Sequence, residues 1–547
     1  MMNDVTVCGA SSLILSFKSY SHFPFPTYYP QIMSLKFMFD SFSWPLQDLN
    51  IEQKGLLFSC FLALLWCFIS NSNKGLPPGP KPLPLIGNLH SLEPQLHTYF
   101  ASLSQTYGPI CRIWLGKKLG IIVTSPALAR EVLKDKDTIF ANRDVSVAGR
   151  EVTYGGTDIV WTPYGPKWRM LRKVCVQEML SASTLDSLYA LRRRELRQSI
   201  NYFYNQTGSP VNIGEQMFLT ALNVITNMLW GGTVKGEERA TLGAEVRDVV
   251  TKMNELLVTP NLSDFYPGLA WFDLQGVKKK MKVLAKRYDN IFESMIDQRQ
   301  KMNRNGVGQE SKDFLQVLLK LKDEADPKMP LTMTELKALL TDMVVGGTET
   351  SANTVEFAMT EIMNKPDVLR KLQQEVDTVV GKDNIVEESH IQHLPYLYAV
   401  MKEVLRLYPA LPLLVPHCPS ETVTVGGYAV PKGSSVFVNV WAIHRDPSIW
   451  ENPTEFHPER FMENKWDFSG NDLTYFPFGS GRRICVGLAM AERMFMYSLA
   501  SLIHSFDWKL PEGETLDFTE KFVLVLKKKM PLVAIPTPRL SNPTLYE

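Results

Sequence analysis

Phe476-Pro477-Phe478-Gly479-Ser480-Gly481-Arg482-Arg483-Ile484-Cys485-Val486-Gly487 sets one cysteine among glycines and two arginines, and a helix-compatible run, Leu488 to His504, follows directly. A cysteine just ahead of a helix has its sulfur near the positive end of the helix dipole, where a thiolate is favoured. Glycines on both sides let the backbone approach a flat ligand that side chains would hold off. Arg483, two residues from the cysteine, can pair with an anionic group. Gly479-Ser480-Gly481 also starts like a dinucleotide fingerprint, but Ile484 stands where its third glycine belongs. A lone cysteine in a glycine turn is more often an inert buried residue, so company elsewhere in the chain matters.

Such company is present. Glu403 and Arg406, three apart, share one face of a helix; on their own they would be a surface ion pair worth little. Pro458-Glu459-Arg460-Phe461 lies further on. Met343 to Ser351 carries Gly346-Gly347-Thr348-Glu349-Thr350 inside the longest helix-compatible stretch. Each glycine costs a helix interior about 1 kcal/mol relative to alanine. Either close helix packing or a local opening of the helix would account for the pair. Trp168 and Arg172 stand one helical turn apart. His417 follows the aliphatic run Leu413-Leu414-Val415.

These segments together resemble the cytochrome P-450 superfamily. The cysteine loop fills every specified position of its signature F-x-x-G-x-R-x-C-x-G, a chance match on the order of one in ten thousand for a chain of this length. The resemblance runs from Leu76 to about Pro538 and is nearest the plant microsomal type, close to terpenoid and flavonoid hydroxylases. It implies a mainly α fold with a smaller β part and a haem b cofactor. Cys485 would be the axial ligand of the iron. Phe478 and Gly487 would border the haem, and Trp168, Arg172, His417 and Arg483 would serve its propionates. Glu403, Arg406 and Arg460 would form a buried triad supporting the loop. Thr350 and Glu349 would deliver protons where the helix opens to admit dioxygen. Substrate would lie over the haem against Val345, Gly346, Leu413, Leu414 and Leu524, within the wider stretches Val145 to Val152, Leu413 to Val415 and Val523 to Leu526.

The activity so implied is monooxygenation: one atom of O2 enters a small apolar substrate and the other leaves as water. The thiolate's electron donation assists O–O cleavage. No flavin or nicotinamide motif is visible, so electrons from NADPH must come through a separate NADPH–cytochrome reductase, which would meet a basic face including Arg482. Two other readings stay open: a haem-thiolate aldoxime dehydratase or lyase that needs no O2, and a haem sensor or electron carrier. Among oxygenases, a terpenoid substrate is expected ahead of a phenylpropanoid or flavonoid.

Outward from these motifs the chain is less specific. Its 547 residues carry 58 Lys+Arg against 57 Asp+Glu, a balance that offers no basic surplus for nucleic acid. Seven scattered cysteines do not suggest a disulfide framework, and no CxxC or HExxH spacing suggests zinc. Gly55 to Asn73 has no charged residue, just enough with its flanks to cross a bilayer core of roughly 20 residues. Basic Lys74 and Lys81 after it favour a cytosolic remainder, in the endoplasmic reticulum membrane; a cleaved signal peptide is the alternative. The expected divisions are an extension over 1–54, an anchor over 55–73, a proline-rich hinge over 74–88 and a catalytic domain over 89–547. Helices are expected at Ala127–Lys134, Leu185–Tyr204, Gly276–Arg299, Thr334–Met363 and Asp367–Val380, and strands at Gly120–Thr124, Thr422–Val425 and Ser435–Val438.

Overall fold

Two apolar, β-branched runs joined by a turn at Gly116 form a hairpin: β1 (Ile110–Leu115) pairs antiparallel with β2 (Lys118–Val123), Ile110 opposite Val123. Gly116 has φ +60°, a left-handed turn conformation that glycine adopts without strain. The strand β3 (Ser435–Val438) adds parallel to β2 from far along the chain. A second three-stranded sheet and two hairpins complete the β part. The computed structural model describes residues 55–56, 58–60, 75–231, 237–257, 259–305, 313–324, 330–463 and 466–547. Two units separate at Lys74, and 75–547 holds the sheets and the helical body. The expected anchor over 55–73 lies almost wholly outside the described residues, among which no helix is long and apolar enough to cross a membrane.

Five helices position the site. Helix α1 (Pro166–Val174) opens on a proline, whose missing N–H is no loss in a first turn. Helix α2 (Met333–Gly347) starts at a capping box: Glu335 N–H donates to Thr332 Oγ1 (3.2 Å) and Thr332 N–H to the Glu335 carboxylate (2.9 Å). Helix α3 (Glu349–Asn364) continues its line after one non-helical residue, Thr348. Helix α4 (Pro395–Leu407) carries the E-x-x-R pair, and α5 (Leu488–Ser505) follows the cysteine loop. The largest core cluster lies where α3, α4 and α5 meet, through Phe357, Met359, Val400, Val404, Phe495 and Leu499. Burying each such side chain contributes roughly 1.5–3 kcal/mol, and these contacts hold α5 against the body.

Three expectations change. Two stretches read as single helices are each two: Thr334–Met363 breaks at Thr348, and Leu185–Tyr204 breaks at Leu188. The prolines around Leu76–Pro84 form no free-standing spacer: Arg112 N–H donates to Pro78 O (2.8 Å) and the Arg112 guanidinium to Pro77 O (2.5 Å). Prolines lack donors but keep acceptors, so the segment docks along β1 through its carbonyls.

Candidate active site

The loop 476–487 is held in place by its own backbone. Gly479 N–H reaches Phe476 O (2.9 Å), and Cys485 N–H reaches Phe478 O (3.0 Å). Neighbouring elements hold it from outside: Phe476 N–H donates to His444 Nε2 (3.0 Å), and Ser480 Oγ to Gly470 O (2.6 Å). Gly481, at φ +67°, lies so close to Leu133 that a Cβ would come within 2.0 Å of that carbonyl oxygen. Cys485 ends the loop one residue pair before α5. It is surrounded by protein yet accessible, because its surface faces an internal cavity of about 310 Å³. Burial pushes its thiol up, while the Gly487 N–H and Arg172 draw it back toward the thiolate.

Behind the loop, Glu403, Arg406 and Arg460 form one network. Glu403 and Arg406 are fully buried and doubly bonded, Nε to Oε2 at 2.7 Å and Nη2 to Oε1 at 2.9 Å. Arg460 Nε reaches Glu403 Oε1 at 3.0 Å. Arg406 also donates to His444 O and Pro453 O. That ties α4 to the 444–460 segment, whose His444 bonds Phe476 at the start of the loop.

The break between α2 and α3 borders the same cavity as Cys485. Gly347 packs against Ile225, where a Cβ would come within 2.7 Å, whereas nothing stands within 4 Å of a Cβ on Gly346. Thr348 Oγ1 donates to Val344 O (2.9 Å), and Thr350 Oγ1 to Gly346 O (2.8 Å), so hydroxyls occupy the carbonyls at the opening. Thr350 and Gly346 line the cavity; Glu349 does not. One residue is a 100° turn of a helix, which carries Glu349 away from the side Thr350 faces.

One wall of the cavity is cationic, with Arg143, Arg172, Arg483 and the imidazole of His417. Burial and the neighbouring Arg483 hold the Arg143 guanidinium down to about 9, and its buried Nε has no partner. Arg172 donates one bond, Nη2 to Ile484 O (2.7 Å). Among the described residues no carboxylate bridges Arg143 or Arg172. His417 bonds Phe140 O through Nδ1 (2.8 Å) and is held well below its ordinary value by burial first and Arg143 next, so the ring is neutral. The positions expected from sequence divide here. Arg172 and His417 reach the cavity. Arg483 gives most of its donors to the carbonyls of Ala141, Ile159, Val160 and Thr162. The Trp168 indole N–H goes to Ile159 O (3.0 Å), with its ring stacked 4.5 Å from the Arg483 guanidinium, and so the ring supports the wall from behind. Arg143 was not foreseen; Asn142-Arg143 has no spacing that marks it in sequence.

The apolar part of the wall also corrects expectation. Leu414 and Val415 line the cavity, with Ile225, Met343 and Leu411. Leu413 does not: Leu414 has φ +51°, and the turn there sends Leu413 into the cluster of Phe100, Cys111 and Ile122. Val344 is drawn into the core beside Met228, and Val345, Leu524 and the stretch Val145–Val152 lie outside the lining. Residues 523–525 form the turn between Glu520–Phe522 and Leu526–Lys528.

The residues fit a haem. A thiol bordered by glycines faces a cavity with surplus positive charge and an orphaned guanidinium nitrogen, which suits a flat metal macrocycle carrying acidic groups. The family profile of cytochrome P-450 matches residues 77–534. The chain belongs to the cytochrome P-450 family. It is 39% identical over 477 residues to a flavonoid 3'-monooxygenase of Petunia hybrida, covering 85% of this chain and 92% of that one. It is also 39% identical over 490 residues to a geraniol 8-hydroxylase of Swertia mussotii, covering 88% and 98%. A solved zebra fish cytochrome P-450 with progesterone aligns at TM-score 0.69 and 25% identity, over 82% of this chain and all of that one. The protein is therefore a plant-type cytochrome P-450 monooxygenase, an oxidoreductase, and the family implies haem.

Proposed function

We propose that this cytochrome P-450 hydroxylates a small apolar terpenoid alcohol or hydrocarbon. The net reaction is RH + O2 + NADPH + H⁺ giving ROH + H2O + NADP⁺, with electrons passed by a separate NADPH–cytochrome reductase. The observation that carries the substrate class is the aliphatic wall of Ile225, Met343, Leu411, Leu414 and Val415 in the cavity that Cys485 borders. Such a wall rewards buried hydrocarbon at roughly 25 cal/mol per Å² and offers few hydrogen bonds to polyhydroxylated rings. The similarity to geraniol 8-hydroxylase supports the same class, and the equal similarity to flavonoid 3'-monooxygenase makes a flavonoid the second reading.

Bound haem supplies reductive activation of dioxygen. Cys485 would hold it, Arg143, Arg172 and His417 would meet its acidic groups, and Thr350 would manage protons. Thr350 Oγ1 stands at the helix opening, where its hydroxyl can turn from Gly346 O to a ligand and carry a proton. Residues 55–73 would anchor the chain in the endoplasmic reticulum membrane with the catalytic body on the cytosolic side.

Turnover of geraniol and of the flavanone naringenin, each with and without NADPH, reductase and O2, tests this reading. Hydroxylated geraniol that needs all three components is the expected result. Product from naringenin alone moves the substrate to the flavonoid class, and product formed without O2 and NADPH refutes monooxygenation in favour of a dehydratase or lyase.

A further inference from the structure

A carboxyl pair between α2 and the segment 158–162 has no part in the reaction described above. Asp158 is fully buried, and its Oδ1 accepts the Trp161 N–H at 2.9 Å. Asp342, on α2 at the cavity wall, accepts the Ile159 N–H through Oδ2 at 2.8 Å. The two carboxyl groups face each other, and Asp158 Oδ2 has no N–H or hydroxyl donor. Carboxylates only accept and repel one another, so two that face each other in a buried site retain one proton between them. Burial pushes Asp158 up to about 6, against the pull of Arg483, and burial and Asp158 also push Asp342 well above its ordinary value. The other charged or titratable groups nearby are Cys175, which faces Asp342, and Arg172, which faces Cys175 and Arg483.

The same short segment is held from the opposite side. Arg483 donates to Ile159 O (2.8 Å), Val160 O (3.3 Å) and Thr162 O (2.6 Å). Ile159 and Val160 thus lie between α2, which carries the helix opening, and the loop that carries Cys485, and both border the cavity. We propose that Asp158 and Asp342 are positioning residues that, through their bonds to the 159–161 backbone, fix Ile159 and Val160 on the cavity wall and so decide which bulky ligands fit beside Cys485. The proposal rests on the haem-thiolate reading of the site but not on the substrate or on oxygen chemistry.

The test uses the full haem-loaded chain and two iron ligands read by the shift of the Soret band. Imidazole reports access to the iron, and 4-phenylimidazole adds a ring that must pass the wall. A reduced carbon-monoxide spectrum taken first tests the haem-thiolate reading by itself. Asp158→Ala and Asp342→Ala should change the 4-phenylimidazole Kd by about fivefold or more while the imidazole Kd stays within about twofold. Asp158→Asn and Asp342→Asn keep the backbone acceptor and offer an amide N–H in place of the shared proton, so near neutral pH they should match the wild type. As the pH is raised from neutral, the wild type should drift toward the alanine values as the proton leaves and two carboxylates repel, and the asparagine variants should not. An unchanged ratio of the two ligands in the alanine variants overturns the proposal. Should those variants fail to fold, the asparagine pair decides: a pH drift equal to the wild type's is equally fatal.

Discussion

Gly481→Ala and Gly479→Ala place the same methyl group two residues apart in the cysteine loop, and the structure separates their costs. Both glycines have left-handed backbones, at φ +67° and φ +78°, so alanine at either position carries a conformational penalty of about 1–2 kcal/mol. At Gly479 the new Cβ meets nothing nearer than the flexible Leu414 side chain at 3.8 Å. At Gly481 it would come within 2.0 Å of Leu133 O, a backbone atom with no rotamer to escape into. Relieving that clash moves the loop, an overpacking cost of about 1–3 kcal/mol. The expected totals are about 2–5 kcal/mol for Gly481→Ala and about 1–2 kcal/mol for Gly479→Ala, against a domain stability of about 5–15 kcal/mol. Because Ile484 N–H bonds Gly481 O (3.2 Å), the displacement reaches the residue before Cys485. Gly481→Ala should therefore also lower the fraction of reduced protein showing the thiolate-type carbon-monoxide band. Urea midpoints of the two haem-loaded variants, read by that band and by far-UV circular dichroism, provide the assay. Coincident midpoints would mean that Leu133 yields freely and that the loop is not gripped there.

Glu403→Gln leaves the buried Arg406 and Arg460 guanidiniums without their shared carboxylate and should cost about 3–5 kcal/mol by denaturant titration; a loss below about 1 kcal/mol would show that the network is not a support. Thr350→Ala should keep the carbon-monoxide spectrum and the substrate-induced spin shift but yield less product and more hydrogen peroxide per NADPH, since proton assistance of this kind is worth about 10²–10⁴-fold. Coupling equal to the wild type removes Thr350 from proton delivery. His417 and His444 are both held well below the ordinary histidine value, by burial first and by neighbouring arginines next. Below about pH 6.5 the unfolded chain gains protons that these two rings refuse, so each lowers stability by up to about 1.4 kcal/mol per pH unit until its own folded value is reached. His444→Gln should flatten the acid limb of midpoint against pH, and an unchanged slope would contradict neutrality of the buried ring.

Local spacing made part of the site legible before any fold was known. A spacing of three between Glu403 and Arg406 suffices to place both on one helix face, and adjacent glycines at 346 and 347 already pointed to trouble in a helix interior. The cysteine loop is likewise a contiguous text. What stayed hidden depended on long-range placement or on one backbone angle. Ile213–Trp230 is a helix with buried residues around much of its circumference, so it has no clean polar face for periodicity to detect. Leu413 and Leu414 are identical in type, and only the left-handed turn at Leu414 decides which enters the cavity. Arg143, Asp158 and Asp342 are ordinary isolated charges in sequence. Each acquires meaning from the others: Arg143 because Arg172 arrives on the same wall and, among the described residues, no carboxylate bridges either, Asp342 because Asp158 is carried to it across 184 positions of chain (342 − 158). The same contacts explain why the apolar lining was the least readable part. A wall built from Ile159, Ile225, Met343, Leu411 and Val415 uses residues that any core would use, and its shape follows from the charged groups that hold its segments in position.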